Sequence, residues 1–216
     1  AFPAQYGGRL SSIIDIRMKE GNNQKLTWNG GLGLIASRLS IEGPIKKDQA
    51  SFIISGRYSY AGLTANSLGS LGQEIGIHSL RDFDNHNEIN FYDINAKVNY
   101  KIKNNHFYLS SYAGRDHFFY YSIDKNSRMD WGNQTATARW NHIFNSRVFS
   151  NTMIVYSRYD YSYILKEDAR HFKWSSNLQE VDLKSDFDFF INPSNHLKFG
   201  ISLENHTYFP GKIEPR

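Results

Sequence analysis

Residues 91–103, FYDINAKVNYKIK, give the clearest indication of the fold, because apolar and polar side chains alternate from Tyr92 to Ile102. The apolar positions are Tyr92, Ile94, Ala96, Val98, Tyr100 and Ile102. The polar positions are Asp93, Asn95, Lys97, Asn99 and Lys101. An extended chain turns successive side chains to opposite faces, so this stretch predicts a β-strand with one apolar and one charged face.

The same alternation recurs in residues 181–191 and 196–204. Other candidate strands, near 106–121 and 147–164, are much longer than the ~5–6 residues usual in globular proteins. Tight turns are predicted at 103–105, 145–146 and 192–195, and they alternate with longer connections at about 61–90, 122–131 and 165–175. Short turns on one side of a sheet and long loops on the other are typical of outer-membrane barrels.

The sequence therefore predicts an all-β fold, an antiparallel meander of about nine strands that forms part of a transmembrane outer-membrane β-barrel. No run approaches the ~20 apolar residues of a transmembrane helix. Aromatic residues make up 15% of the chain and cluster where the upward strands end, which favours an interfacial aromatic girdle. The clustered residues are Tyr58, Tyr60, Phe118, Phe119, Tyr120, Tyr121, Tyr156, Tyr159, Tyr161, Tyr163, Tyr208 and Phe209.

Composition and motifs argue against several other functions. The 25 basic and 21 acidic residues are spread along the chain, so nothing favours nucleic-acid binding. Cysteine is absent, and the sequence has no G-x-S-x-G elbow, phosphate-binding loop or H-E-x-x-H pair. We therefore expect no enzyme activity, no cofactor and no metal site.

Residues 3–21, PAQYGGRLSSIIDIRMKEG, carry a family resemblance. They resemble the closing strand of the plug domain in TonB-dependent outer-membrane receptors. Residues 31–39, 41–48 and 51–58 are similar to the first barrel hairpin, a periplasmic turn and the next ascending strand of these receptors. The resemblance is to the type that carries a carboxypeptidase-regulatory-like domain before the plug.

The resemblance implies a plug end at residues 1–23 and the first part of a barrel of about 22 strands at residues 24–216. It further implies the outer membrane of a Gram-negative bacterium and active uptake of a scarce solute, such as an iron chelate, cobalamin, a glycan or a peptide. The implied partners are outer-membrane lipid and TonB, which binds an upstream segment absent from this chain; a surface lipoprotein is a further candidate. An odd strand count is unusual for a closed barrel, so we expect a fragment of a longer protein.

Two sets of site residues follow as expectations. A long extracellular loop and the strand end beneath it are the candidates for solute binding: Tyr58, Tyr60, His78, Asp82, Asp84 and His86. Arg9, Asp15 and Arg17 are candidates for ion pairs at the plug–barrel junction. Asp182, Lys184, Asp186 and Asp188 are expected to face the plug or channel water.

Two alternatives stay open. A passive or structural outer-membrane barrel would show the same strands without energised gating. A soluble all-β carbohydrate-binding module would also show period-two alternation, since its polar face would lie in water rather than in a lumen.

Overall fold

The computed structural model describes residues 12, 16–74, 88–122, 125–167 and 170–215. These residues form nine antiparallel strands, and each strand pairs with the next along the chain, from β1 to β9. The strands are β1 Thr27–Leu32, β2 Ala36–Lys46, β3 Ala50–Ser59, β4 Glu88–Ile102, β5 Asn105–Ser122, β6 Lys125–Ile143, β7 Val148–Glu167, β8 Arg170–Asn192 and β9 Asn195–Pro215. A helix, α1 Ala61–Glu74, follows β3. The predicted all-β meander and its strand count are confirmed.

Within the described ranges, no helix combines the length and apolar character needed to cross a membrane.

The tight turns are built by polar residues. Asp48, between β2 and β3, has a φ of 62°, and Lys103, between β4 and β5, has a φ of 49°. The side-chain oxygen of Asn145 accepts hydrogen bonds from the backbone N–H groups of Arg147 and Val148, at 2.9 and 3.1 Å. Asn192 accepts one from Ser194 in the same way, at 3.0 Å. Such side-chain bonds to the backbone favour turns over continued strand, and the three turns predicted after residue 100 are confirmed.

Two of the predicted long connections are wrong. β5 ends at Ser122 and β6 begins at Lys125, while β7 ends at Glu167 and β8 begins at Arg170. The ladders run to these ends: residue 119 pairs with 128, and residue 165 with 172. Polar residues do not stop a strand when each backbone edge has a neighbour to pair with. Of these three connections, the one between β3 and β4 is long, as predicted.

The register defines two faces of the sheet, because residues directly opposite each other project to the same side. We name the side that carries residues 16–24 the segment face and the other side the open face. Lys97 is on the segment face, since its Nζ donates a hydrogen bond to the backbone oxygen of Met18 at 2.8 Å. Val98, its neighbour in β4, is therefore on the open face.

An apolar band crosses the open face near the tight turns. One row of paired residues runs through seven strands: Phe52, Val98, Leu109, Ala138, Ile154, Leu183 and Leu203. Leu109 is 60% exposed and Ile154 is 52% exposed. Further from the turns, Gln134, Arg158 and Gln179 are paired in one row of the same face. The band therefore ends at the same height on β6, β7 and β8.

Candidate functional site

Residues 16–24 are anchored to the segment face by a chain of buried hydrogen bonds. Asn99 Nδ2 donates to Ser51 Oγ, which donates to the backbone oxygen of Gly21, both at 2.8 Å. Ser51 is 1% exposed and Asn99 is 6% exposed. Each of these groups would be left unsatisfied in a buried position if its partner were removed. The anchor therefore fixes the height at which the segment crosses the sheet.

Gly21 allows the segment to lie directly on the backbone of β3. A Cβ atom added there would collide with the carbonyl group of Phe52. Glycine is the residue that permits such close approach of two backbones.

Polar contacts continue on both sides of this anchor. Lys19 Nζ forms an ion pair with Glu42 of β2 at 2.8 Å, and the other carboxylate oxygen accepts a hydrogen bond from the backbone N–H of Asn22 at 3.2 Å. Gln24 donates a side-chain hydrogen bond to Asp48 in the turn after β2. The segment is thus held by β2, β3 and β4 together.

A cavity of about 740 Å³ lies between this segment and the segment face. Arg17, Met18 and Glu20 line one side, and polar residues of β4, β5 and β6 line the other. Arg139 Nε and Asn141 Oδ1 border this cavity, are shielded from solvent and have no hydrogen-bond partner among the described residues. The cavity is polar enough and large enough to hold several water molecules.

The structure separates the candidate junction and solute-binding residues. Arg17 lines the cavity, whereas Arg9 and Asp15 are outside the described residues. His78, Asp82, Asp84 and His86 are also outside the described residues. The ion-pair role predicted for Arg9, Asp15 and Arg17, and the solute role predicted for the loop, stay predictions.

Tyr58 and Tyr60 occupy different environments. Tyr58 is opposite Tyr92 on the open face and is 59% exposed. The hydroxyl of Tyr60 donates to the backbone oxygen of Gly33 and accepts a hydrogen bond from Ser37 Oγ at 3.2 Å. Tyr60 thus ties the end of β3 to the hairpin between β1 and β2. Solute binding by the two residues stays a prediction.

The charged residues of β8 are together on the segment face, as the alternation predicts. Lys184 is 3.7 Å from Asp186, and Asp188 is 2.8 Å from His196 and 3.4 Å from Lys198. His206 is 3.4 Å from Glu180 and 3.6 Å from Glu204. These three side chains offer ligand atoms within 4.8 Å of one another, but ion pairing accounts for the arrangement. The segment face is therefore strongly charged at this height.

Further from the tight turns, the aromatic residues of β6, β7 and β8 lie on the segment face instead of the open face. Trp131 is opposite Tyr161, and Tyr163 is opposite Trp174. The register places all four on the segment face. We name six residues of this region the aromatic platform: Trp131, Tyr159, Tyr161, Tyr163, Phe172 and Trp174.

The aromatic girdle prediction is therefore wrong for several residues. The register places Tyr159, Tyr161, Tyr163, Phe118, Tyr120 and Tyr208 on the segment face rather than on the face of the apolar band. Tyr156 is on the open face, at the far edge of the apolar band, opposite Val181. The alternation of Tyr159, Tyr161 and Tyr163 with Arg158, Asp160 and Ser162 was the signal in the sequence that could have revealed this placement.

Comparisons with known proteins give a likeness of fold. No family model matches the chain, and no curated protein matches it. Among solved structures, the chain is similar to the ferric yersiniabactin uptake receptor FyuA from Yersinia pestis, with 11% identity and a TM-score of 0.42. The match covers 82% of this chain and 34% of that receptor, so the chain spans about a third of the receptor's length. At these values the likeness is one of strand arrangement only.

Proposed function

We propose that this chain is part of a TonB-dependent outer-membrane receptor that takes up a scarce solute into the periplasm. The observation that carries the proposal is the apolar band, which lies on the face of the sheet opposite the anchored segment. In this proposal the open face meets lipid, the segment face lines the lumen, and residues 16–23 belong to the end of a plug. The chain contributes transport rather than catalysis.

The dimensions of the band support a membrane position. On β7 it runs from Val148 to Tyr156, with Ser150 and Thr152 between the apolar residues, and gives way to Arg158. On β8 it runs from Phe189 to Val181 and gives way to Gln179. A transmembrane strand takes about 9–11 residues to cross the hydrocarbon layer. The band has this height, and the strands continue beyond it as an extension above the membrane.

The anchored segment supports the receptor over a passive barrel. A barrel without a plug has no need for a strand-free segment that is hydrogen bonded across three strands of its inner face. Residues 16–24 have such contacts through Gly21, Glu42 and Lys97. The family resemblance of residues 3–21 agrees with this assignment, and it supplies TonB and a surface lipoprotein as proposed partners.

The test uses the full-length protein in its own bacterium. We expect it in the outer-membrane fraction, and we expect a deletion strain to lose growth on at least one scarce solute. A strain that lacks TonB should show the same loss, because energised uptake needs the inner-membrane proton gradient.

Three other results would each overturn a different part of the proposal. Uptake that survives loss of TonB would favour the passive barrel. A stable monomer of residues 25–216 in buffer without detergent would favour the soluble module. Recovery of the full-length protein with the inner membrane would exclude both outer-membrane functions.

A further inference from the structure

The cavity between residues 16–24 and the segment face has an excess of positive charge. Its volume is about 740 Å³, and Arg17, Lys97 and Arg139 are among the residues that line it. Glu20 is the only acidic residue among the described residues of the lining. An enclosed surface with more cations than carboxylates attracts an anion, because charges interact more strongly where water is partly excluded.

The two cations of the sheet have no acidic partner in the described part of the chain. Lys97 Nζ donates a hydrogen bond to the backbone oxygen of Met18 at 2.8 Å, and its ammonium has further N–H groups for another acceptor. Arg139 Nε is shielded from solvent and has no hydrogen-bond partner among the described residues. Neither side chain forms an ion pair with a described carboxylate. A buried donor without a partner is costly, so a ligand that accepts its hydrogen bond is favoured at this place.

The register brings further hydrogen-bond donors to the same wall. Lys97, Ser110 and Thr137 are paired in one row of the segment face. Arg139 is in the next row toward the tight turns, opposite Tyr108. All five residues line the cavity. Residues paired in one row of an antiparallel sheet are roughly 5 Å apart, so the ammonium, the guanidinium and the hydroxyls face one common space.

We propose that this cavity binds a small inorganic oxyanion, such as phosphate or sulfate. The planar guanidinium of Arg139 can donate parallel hydrogen bonds to two oxygens of such an anion, and charge-assisted bonds of this kind are the strong ones. Lys97, Ser110 and Thr137 supply further donors. The anion would leave room for water, which can bridge the remaining distances. The site needs only the segment and the sheet, so it does not depend on the proposed function.

A bound anion would also strengthen the attachment of the segment. The described polar contacts of residues 16–24 reach Glu42 on β2, Ser51 on β3 and Lys97 on β4. Arg139 is on β6, across the cavity from the segment. Because the cavity lies between the two, an anion held by Arg139 would add a contact between the segment and β6. The segment should then detach more slowly when the anion is present.

The test uses the full-length protein, purified in detergent, and inorganic phosphate as the probe. Equilibrium dialysis with radiolabelled phosphate should show saturable binding, and sulfate should compete for the site more strongly than chloride at the same ionic strength. Phosphate should also slow tryptic cleavage after Lys19, whereas chloride at that ionic strength should not. The comparison with chloride separates a specific site from general screening of charges.

Substitutions at Arg139 locate the binding. Arg139→Gln should weaken the phosphate affinity roughly tenfold or more, because charge-assisted hydrogen bonds are lost. Arg139→Lys keeps the charge but not the planar group and should weaken it less. Arg158→Gln is the matched control, since it makes the same change on the open face of β7 and should leave the affinity unchanged. If Arg139→Gln does not fold, Thr137→Val decides in its place, and it should weaken the affinity severalfold.

The outcomes separate this inference from the proposed function. Absence of saturable phosphate binding by protein that still supports TonB-dependent uptake would overturn the inference and leave the proposed function intact. Phosphate binding that is equal in Arg139→Gln and Arg158→Gln would overturn it as well, because the anion would then lie elsewhere. Cleavage after Lys19 that phosphate does not slow would overturn the added contact between the segment and β6. Uptake that does not require TonB would overturn the proposed function alone.

Discussion

The part of the sheet near the tight turns and the part far from them show the same alternation of side chains. In the two parts, however, the apolar side chains lie on opposite faces. Near the tight turns, apolar residues such as Ile154 and Leu183 are on the open face, and charged residues such as Asp182 are on the segment face. Far from the turns, Arg158 and Asp160 are on the open face, and Tyr159 and Tyr161 are on the segment face. Alternation thus specifies that a strand has one apolar and one polar face. The environment of each face specifies which of the two is apolar.

On β7 the apolar side chains change from the open face to the segment face within a few residues. Ile154 and Tyr156 are the last apolar residues of the open face before Arg158. If the open face meets lipid, this change marks the height where lipid ends and water begins. Substitutions on either side of this height test whether the two faces differ in this way.

The largest effect is expected for a charge placed in the band. Thr152→Arg should destabilise the folded full-length protein in the membrane by about 2–4 kcal/mol, because Thr152 is at the middle of the band on β7, where arginine on the lipid face costs most. Val155→Arg is the matched control, since Val155 is opposite Asp182 on the other face. The folded fraction can be measured from the heat-dependent shift in gel mobility. An equal loss of folded fraction in both variants would show that the two faces do not differ in their tolerance of a charge.

A smaller effect is expected where the segment crosses β3. Gly21→Ala should cost about 1–3 kcal/mol, because the added methyl group overpacks against the Phe52 carbonyl. The segment should then detach, and tryptic cleavage after Lys19 should become faster. Gly56→Ala is the control, because its added Cβ atom meets nothing closer than 3.6 Å. Unchanged cleavage in Gly21→Ala would show that the segment does not depend on this contact.

Removal of the anchor at Asn99 should have a comparable or smaller effect. Asn99→Ala takes away the donor to Ser51 Oγ in a buried site and should cost about 1–3 kcal/mol. Asn95→Ala, on the same face of β4, has no such bond among those that the structure describes and is the control. The same cleavage after Lys19 serves as the measurement, and equal rates for the two variants would contradict the prediction.

The smallest effect is expected for the ion pair just beyond the band. Arg115 is 3.3 Å from Asp160 on the open face, and both side chains are partly exposed. Such pairs contribute about 0–1 kcal/mol, so Asp160→Asn should change the folded fraction little. A loss as large as that of Thr152→Arg would place this pair inside the lipid layer and would move the boundary of the band.

Much of the fold could be predicted from local pattern. The turns at Lys103, Asn145 and Asn192 follow from residues that bond or bend locally, and the strands between them follow from alternation. The long connections predicted at 122–131 and 165–175 are wrong, because β6 begins at Lys125, β7 ends at Glu167 and β8 begins at Arg170. Pairing with a neighbouring strand supplies the backbone hydrogen bonds there, and that neighbour cannot be seen in a local window.

The candidate site could be predicted only in part. The charged residues of β8, from Asp182 to Asp188, were placed on one face because the period is two. The contact of Gly21 with β3 joins residues about thirty positions apart, and no local signal specifies it. The aromatic platform was missed because the girdle prediction used position along the strands and not the register between them.

The strands, the tight turns and the residues of a strand that share a face could be predicted from the sequence alone, because they depend on backbone geometry and on neighbours in the chain. Three features are visible only in the folded sheet: which face carries the segment, how far the strands extend, and where the apolar side changes from one face to the other. These features depend on register between strands, and register links the faces of separate strands into one surface. The near and far parts of the sheet differ for that reason, although their alternation is the same.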